Sequence, residues 1–181
     1  MNRQGEFKMA YKRGPEVRYQ ADLPYPPIQV SSTNTMYARA MLDNMGGANS
    51  EMSAISLYFY NHLLIGDEAE IAMAFHRISI VEMHHMETFG ELALQLGENP
   101  RLWTVRKNRK VYWSPAYNNY PIALDAMIMN SIKGENTAIE KYSSQMKWIQ
   151  DENVKNNLQR IILDEQIHME VLTELYRTYC K

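Results

Sequence analysis

Arg77-Ile-Ser-Ile-Val-Glu-Met-His-His-Met-Glu87 and Arg160-Ile-Ile-Leu-Asp-Glu-Gln-Ile-His-Met-Glu170 decide how this chain is read. Aligned without a gap they share six of eleven residues, among them the spaced pairs Glu82/His85 and Glu165/His168. Residues three apart lie on one face of a helix. Each stretch therefore presents a carboxylate and an imidazole in the same direction, which is half of a metal site, written twice.

The other half follows from the geometry of hairpins. In two antiparallel helices joined by a short turn, facing residues lie equally far from the turn. Glu51 and Glu82 have their midpoint at Gly66-Asp67, and Glu135 and Glu165 have theirs at Gln150, beside the polar Asp151-Glu152-Asn153. Both midpoints read as turns, so each hairpin sets a lone Glu level with a Glu-x-x-His. The lone residues also repeat their surroundings: Glu51-x-x-Ala54-x-x-x-Tyr58 is echoed by Glu135-x-x-Ala138-x-x-x-Tyr142.

Outside this frame, residues 1–33 mix charge with Pro15, Pro24, Pro26 and Pro27 and lack helical periodicity. They are expected to form an extended arm, either lying on a partner subunit or mobile. A first helix is expected from Thr33–Thr35, where Ser, Thr and Asn offer caps, to Leu64, with Gly46-Gly47 kinking or breaking it. Asp67 with Glu70 resembles a capping box for a second helix ending at Gly97. Residues 98–119, rich in Trp, Tyr and Pro, are too long for a tight hairpin and read as a crossover. The third helix is expected from Pro121 to Ile149 and the fourth from 152 to 178. Gly134, directly before Glu135, suggests a close approach of backbone or ligand. The expected architecture is all-α, a four-helix bundle over residues 34–181 made of two hairpins joined by one long crossover, preceded by the arm.

Composition excludes several classes. A formal charge of −2 with dispersed Lys and Arg argues against a nucleic-acid surface. The single Cys180 rules out an intrachain disulfide or a Cys-x-x-Cys site. No signal peptide or apolar span of membrane length is evident, so a cytoplasmic, soluble protein is expected. Thirteen Met suit irregular helix interfaces.

In this register Glu51, Glu82, Glu135 and Glu165 meet at one level of the interior with two imidazoles. Four ionised carboxylates in an apolar core without cations would be strongly destabilising. Two divalent ions would balance them, and oxygen-rich ligation with two nitrogens suits manganese or iron.

The pattern of a lone Glu on two helices and Glu-x-x-His on two others resembles the ferritin-like superfamily, and within it the rubrerythrin and manganese-catalase relatives, which include spore-coat proteins. The resemblance covers residues 36–178. It implies two Mn or two Fe ions per subunit, held by carboxylates at Glu51, Glu82, Glu135 and Glu165 and by His85 and His168; Tyr58 and Tyr142, on the faces of the lone glutamates, read as hydrogen-bond donors or a redox relay, or as core packing. Three features depart from relatives. The chain has no cysteine pair for a rubredoxin-like iron site, Ser131 and Ile132 stand where many rubrerythrins carry an extra glutamate, and Asp164, suited to orienting a histidine, has Val81 as its counterpart. The implied activity is catalase- or peroxidase-like consumption of hydrogen peroxide, with an external electron donor in the second case. Iron oxidation by oxygen with ferritin-like iron handling, and a structural coat role in which metal staples the bundle, are the alternatives. A homo-oligomer is expected. His62 and His76 are expected to be structural, His84, about 200° round the helix from Glu82, is not expected to be a ligand, and Arg77 and Arg160 are expected to be either paired with acids or solvated.

Overall fold

The computed structural model describes residues 17–66 and 69–180. Five helices carry the fold: α1 (Thr35–Gly46), α2 (Glu51–Ile65), α3 (Ala69–Gln95), α4 (Leu124–Trp148) and α5 (Glu152–Tyr179). The first helix of the bundle is broken in two, so that α1 and α2 together pack along α3, while α4 and α5 form the second hairpin. Asn34 caps α1 through the main-chain N–H groups of Met36 and Tyr37, and Ser50 caps α2. Gly46, the last residue of α1, lies against the crossover, where a Cβ would come 2.9 Å from the Leu102 Cα. Only a residue without a side chain lets the end of α1 meet the crossover backbone there. At the far end of α3 the chain turns at Gly97, whose φ is 103°, with Glu98 N–H donating to Ala93 O and Gly97 N–H to Leu94 O. These paired bonds at a left-handed residue form a Schellman stop.

The expected cap at Asp67 lies outside the described residues. The third bundle helix begins at Leu124 and not at Pro121, its N-cap Ala123 making no side-chain capping bond. The crossover also contains a hairpin that its sequence did not announce, β1 (Trp103–Arg106) paired antiparallel with β2 (Arg109–Tyr112). Its two-residue turn, Lys107-Asn108, takes positive φ at both positions, a type I′ geometry usually signalled by Asn-Gly. The crossover is pinned to α2 by Trp113 Nε1–H donating to Ser53 Oγ and Asn118 Nδ2–H to Ser53 O, both at 2.9 Å.

Of the arm expected over 1–33, residues 1–16 lie outside the described residues; residues 17–33 are extended and lie along their own bundle. Asn157 Nδ2–H donates to Pro27 O, Gln95 Nε2–H to Ile28 O, and Ser31 N–H to Asp151. Along the bundle the apolar core falls into two clusters. One is built around Met41, Phe89, Tyr142 and Leu158, the other around Tyr58, Phe75, Ile78 and Leu172. Among the described residues no helix is long and apolar enough to cross a membrane.

Candidate metal centre

Between the two apolar clusters the interior turns polar. Glu82 and His85 project from α3 and Glu165 and His168 from α5, one helical turn apart in each case, while Glu51 comes from the first turn of α2 and Glu135 from mid-α4. All six side chains are buried, none more than 3% exposed. The structure thus brings every sequence-selected Glu and His of the duplicated pattern into one cluster.

Within it, two groups of four can each offer one ligand atom per residue, all within 4.8 Å of one another: Glu51, Glu82, His85 and Glu165, and Glu82, Glu135, Glu165 and His168. Glu82 and Glu165 belong to both. The arrangement is a near-twofold pair of half-sites that share two carboxylates.

The imidazoles are aimed. His85 Nδ1 lies 2.9 Å from Glu82 and 3.3 Å from Glu165, and His168 Nδ1 lies 3.0 Å from Glu82 and 3.3 Å from Glu165. Their Nε2 atoms point outward, His85 to Asp164 Oδ2 at 3.1 Å and His168 to the main-chain O of Tyr19 at 2.9 Å. With its proton on Nε2, each ring turns the Nδ1 lone pair toward carboxylate oxygens. Such a face repels itself unless a proton or a metal ion sits in it.

Tyrosines brace the outer carboxylates across the hairpins. Tyr58 on α2 donates to Glu135 on α4, and Tyr142 on α4 donates to Glu51 on α2. Phe75 stacks on Tyr58 and Phe89 tilts against Tyr142. Burial and the nearby Glu135 and Glu51 carboxylates, respectively, push both phenols well above their ordinary range, so they remain protonated donors.

The carboxyls divide by position. Burial and the charges of neighbouring glutamates push the outer pair up, Glu51 strongly and Glu135 to about 8. The inner pair goes the other way. Burial opposes ionisation of Glu82 and Glu165, but their contacts with both imidazoles outweigh it and hold them below the usual range. Burial likewise opposes charge on His85 and His168, and the surrounding carboxylates reverse it and raise both. The opposed directions follow from crowding four carboxyls and two imidazoles into one buried cluster, a charge pattern that divalent cations would balance. The donor set fits such ions, because Glu82 Oε1 and Glu165 Oε1 are buried without a hydrogen-bond donor and each faces an imidazole Nδ1, His168 at 3.0 Å and His85 at 3.3 Å. A buried carboxylate oxygen and an imidazole nitrogen that face each other without a hydrogen bond are donors that a shared cation would satisfy.

A cavity of about 240 Å³ reaches this cluster between α2 and α4, beneath the crossover. Its wall includes Glu51, Tyr58, Glu135, Tyr142 and Glu165 on the inside and Tyr117, Asn118 and Lys133 further out. Gly134 also lines it, and a Cβ there would meet nothing within 4 Å. No backbone closely approaches this glycine; its missing side chain leaves the cavity wider.

Other sequence expectations resolve as follows. Asp164 does orient a histidine, but it serves His85 of the opposite hairpin. Burial would raise its carboxyl, yet hydrogen bonds from His85, Tyr25, the Ala21 N–H and Arg160 hold it well below the usual range. Arg160 is buried and paired with Asp164, while Arg77 is exposed. His84 packs edge-on to Tyr25, and His62 bonds the Ala72 main-chain O beside His76, all away from the cluster. The Tyr19 carbonyl and Tyr25 were not selected from sequence, since a main-chain acceptor leaves no residue signal and one Tyr in an arm is unremarked among twelve.

The sequence model of the family described as Rubrerythrin matches residues 47–176. Among solved structures, KatB, a manganese catalase from Anabaena, superposes with a TM-score of 0.78 at 20% identity, covering 88% of this chain and 79% of that one. A structure of KatB from Anabaena PCC7120 gives 0.79 at 20% identity, covering 90% and 80%. A dodecameric thioferritin, the bacterioferritin-related protein from Bacteroides fragilis, gives 0.63 at 15% identity, covering 83% and 94%. No curated protein matches the sequence. What is shared at these identities is the ferritin-like bundle.

Proposed function

This chain belongs to the rubrerythrin family, and from that premise we propose that its bundle holds a dinuclear manganese or iron centre that consumes hydrogen peroxide. The observation that carries the reading is the doubled donor set sharing Glu82 and Glu165, with a cavity leading to it. Glu51 and His85 on one side and Glu135 and His168 on the other would hold the ions together with Glu82 and Glu165, which belong to both groups. When bound, the metal pair supplies a two-electron redox couple, so that two peroxides become one oxygen and two waters without an outside donor.

The remaining work belongs to the chain. Ser50, Asn118, Asn130, Ser131 and Lys133 give the cavity polar walls suited to a small polar oxidant. Tyr58 and Tyr142 line it and donate to Glu135 Oε1 and Glu51 Oε1. Each phenol–carboxylate pair fixes a terminal carboxylate and holds a proton beside the incoming substrate, ready for a departing oxygen. The two apolar clusters above and below exclude water from the remainder of the site. Apolar side chains left outward on α2 and α3, Phe59, Leu63, Met73 and Ile80, suit a face covered by a second copy of the chain.

Metal content by elemental analysis, paired with oxygen release on adding peroxide, tests the proposal. About two manganese per chain with rapid oxygen release is the expected result. Two iron with turnover only when a reductant is supplied would assign the peroxidase branch. Two iron with oxygen-dependent Fe(II) oxidation in a many-subunit cage would assign iron handling instead. A fully loaded protein with none of these activities would reduce the centre to a structural staple.

A further inference from the structure

The duplicated stretches set His85 and His168 in equivalent places, yet the outer nitrogens of the two rings meet different chemistry. His85 Nε2 faces Asp164, a carboxylate held by Arg160, by Tyr25 and by the Ala21 N–H. By the same near-twofold relation, the residue that would face His168 from α3 is the counterpart of Asp164, and that residue is Val81. Valine has no acceptor. The place is filled instead from outside the bundle, by the main-chain carbonyl of Tyr19.

That carbonyl is held by a clamp. Arg160 Nε–H donates to Leu23 O at 2.7 Å and Nη2–H to Ala21 O at 2.9 Å, and its guanidinium stacks 4.0 Å from the Tyr25 ring centre. The Ala21 N–H reaches Asp164 at 2.7 Å, and the Tyr19 side chain packs on the apolar cluster around Phe75 and Leu172. One arginine and one aspartate on α5 therefore tie down the segment that supplies the second histidine's partner.

We propose that residues 19–25 are a positioning strap for the centre, and that they make its two metal positions inequivalent: the His85 position is backed by a buried carboxylate, the His168 position by a neutral carbonyl that exists only while the strap is seated. The inference rests on the dinuclear reading above. A carboxylate behind an imidazole strengthens it as a ligand more than a carbonyl does. The His168 position is therefore the weaker one, and the one lost when the strap lifts.

The test uses the full-length chain, Mn(II) alone as probe, and two readouts, titration calorimetry and electron paramagnetic resonance. Wild type is expected to bind two ions in resolved steps and end with the spectrum of an exchange-coupled pair. Ala21→Pro removes the N–H that anchors the strap while leaving every side chain of the centre intact. It is expected to weaken one step by roughly 10–100-fold, the usual cost of losing an outer partner, and to leave the other within about threefold. At intermediate Mn(II) an isolated six-line signal would replace the coupled one. Replacing Gln20 by its α-hydroxy acid turns the Tyr19 carbonyl into a weaker ester acceptor without touching Asp164, and should weaken the same step even if Ala21→Pro folds poorly. In a His168→Gln background either strap change should add little to the loss in that step, whereas His85→Gln should remove the retained one. Equal weakening of both steps, or none in either variant while wild type binds two ions, would overturn the strap and leave the centre standing. A wild-type chain that binds no Mn(II) would overturn the centre, and the strap's role with it.

Discussion

Tyr58 and Tyr142 differ from Phe75 and Phe89, which pack on them, in having a buried carboxylate as partner. Removing either hydroxyl leaves an acceptor unpaired in the core, which costs about 1–3 kcal/mol. Tyr58→Phe and Tyr142→Phe are therefore expected to lower the chemical melting midpoint modestly, retain both metal ions, and lower peroxide turnover by roughly 10-fold, measured as oxygen release per bound metal. Unchanged turnover with intact metal content would make both residues bracing alone. At this scale the sequence was informative because Glu, His and Tyr recur at fixed offsets in two segments, a coincidence that helical geometry converts directly into proximity. It was silent about Tyr19, whose contribution is a carbonyl that any residue could supply.

Elements join this site through a few positions that tolerate little. Ala at Gly46 would drive its Cβ into the Leu102 backbone, so Gly46→Ala is expected to destabilise by about 1–3 kcal/mol, read as a shift in urea midpoint. Gly134 behaves oppositely. With nothing near its missing Cβ, Gly134→Ala should gain up to about 1 kcal/mol of helix stability, while Gly134→Phe should fill the cavity and depress kcat/KM without lowering Tm. Asp151 caps α5 through the N–H groups of Asn153 and Val154 and also holds the Ser31 N–H. Burial raises its carboxyl, but these donors outweigh that and depress it below the ordinary range. The ionised form thus contributes stability that is present above about pH 4 and lost as pH falls through the depressed value. Asp151→Asn should keep the cap yet flatten that acid limb, and Asp151→Ala should cost about 1 kcal/mol at neutral pH, both read from urea midpoints between pH 7 and pH 3. The β1–β2 hairpin was illegible because its turn is Lys107-Asn108 and its strands are four residues long, too short and too charged for a period-2 signal.

For the whole molecule the governing fact is a polar layer of four carboxylates and two imidazoles between two apolar clusters. A chain built this way should be only partly stabilised by its core and should gain from any cation that binds the folded state alone. At a free Mn(II) concentration 100 times the dissociation constant the gain is about 2.7 kcal/mol, which for a domain of this size corresponds to a rise in Tm of roughly 5–10 °C. Chelation should reverse it. A melting temperature indifferent to Mn(II) and Fe(II) would mean that protons satisfy the cluster without metal.

The sequence by itself determined the bundle, the two hairpins and the meeting of six side chains, because helical periodicity and equal distance from a turn are properties of the chain read locally. Tertiary structure decided everything that depends on which surfaces touch. It placed Asp164 behind the histidine of the other hairpin, crossed the two tyrosines between helices, buried Arg160 under the segment before α1, and set a main-chain carbonyl where the repeat offers only Val81. Those contacts join residues far apart in sequence, and at Tyr19 they use an atom every residue has, so no spacing or residue type could have marked them.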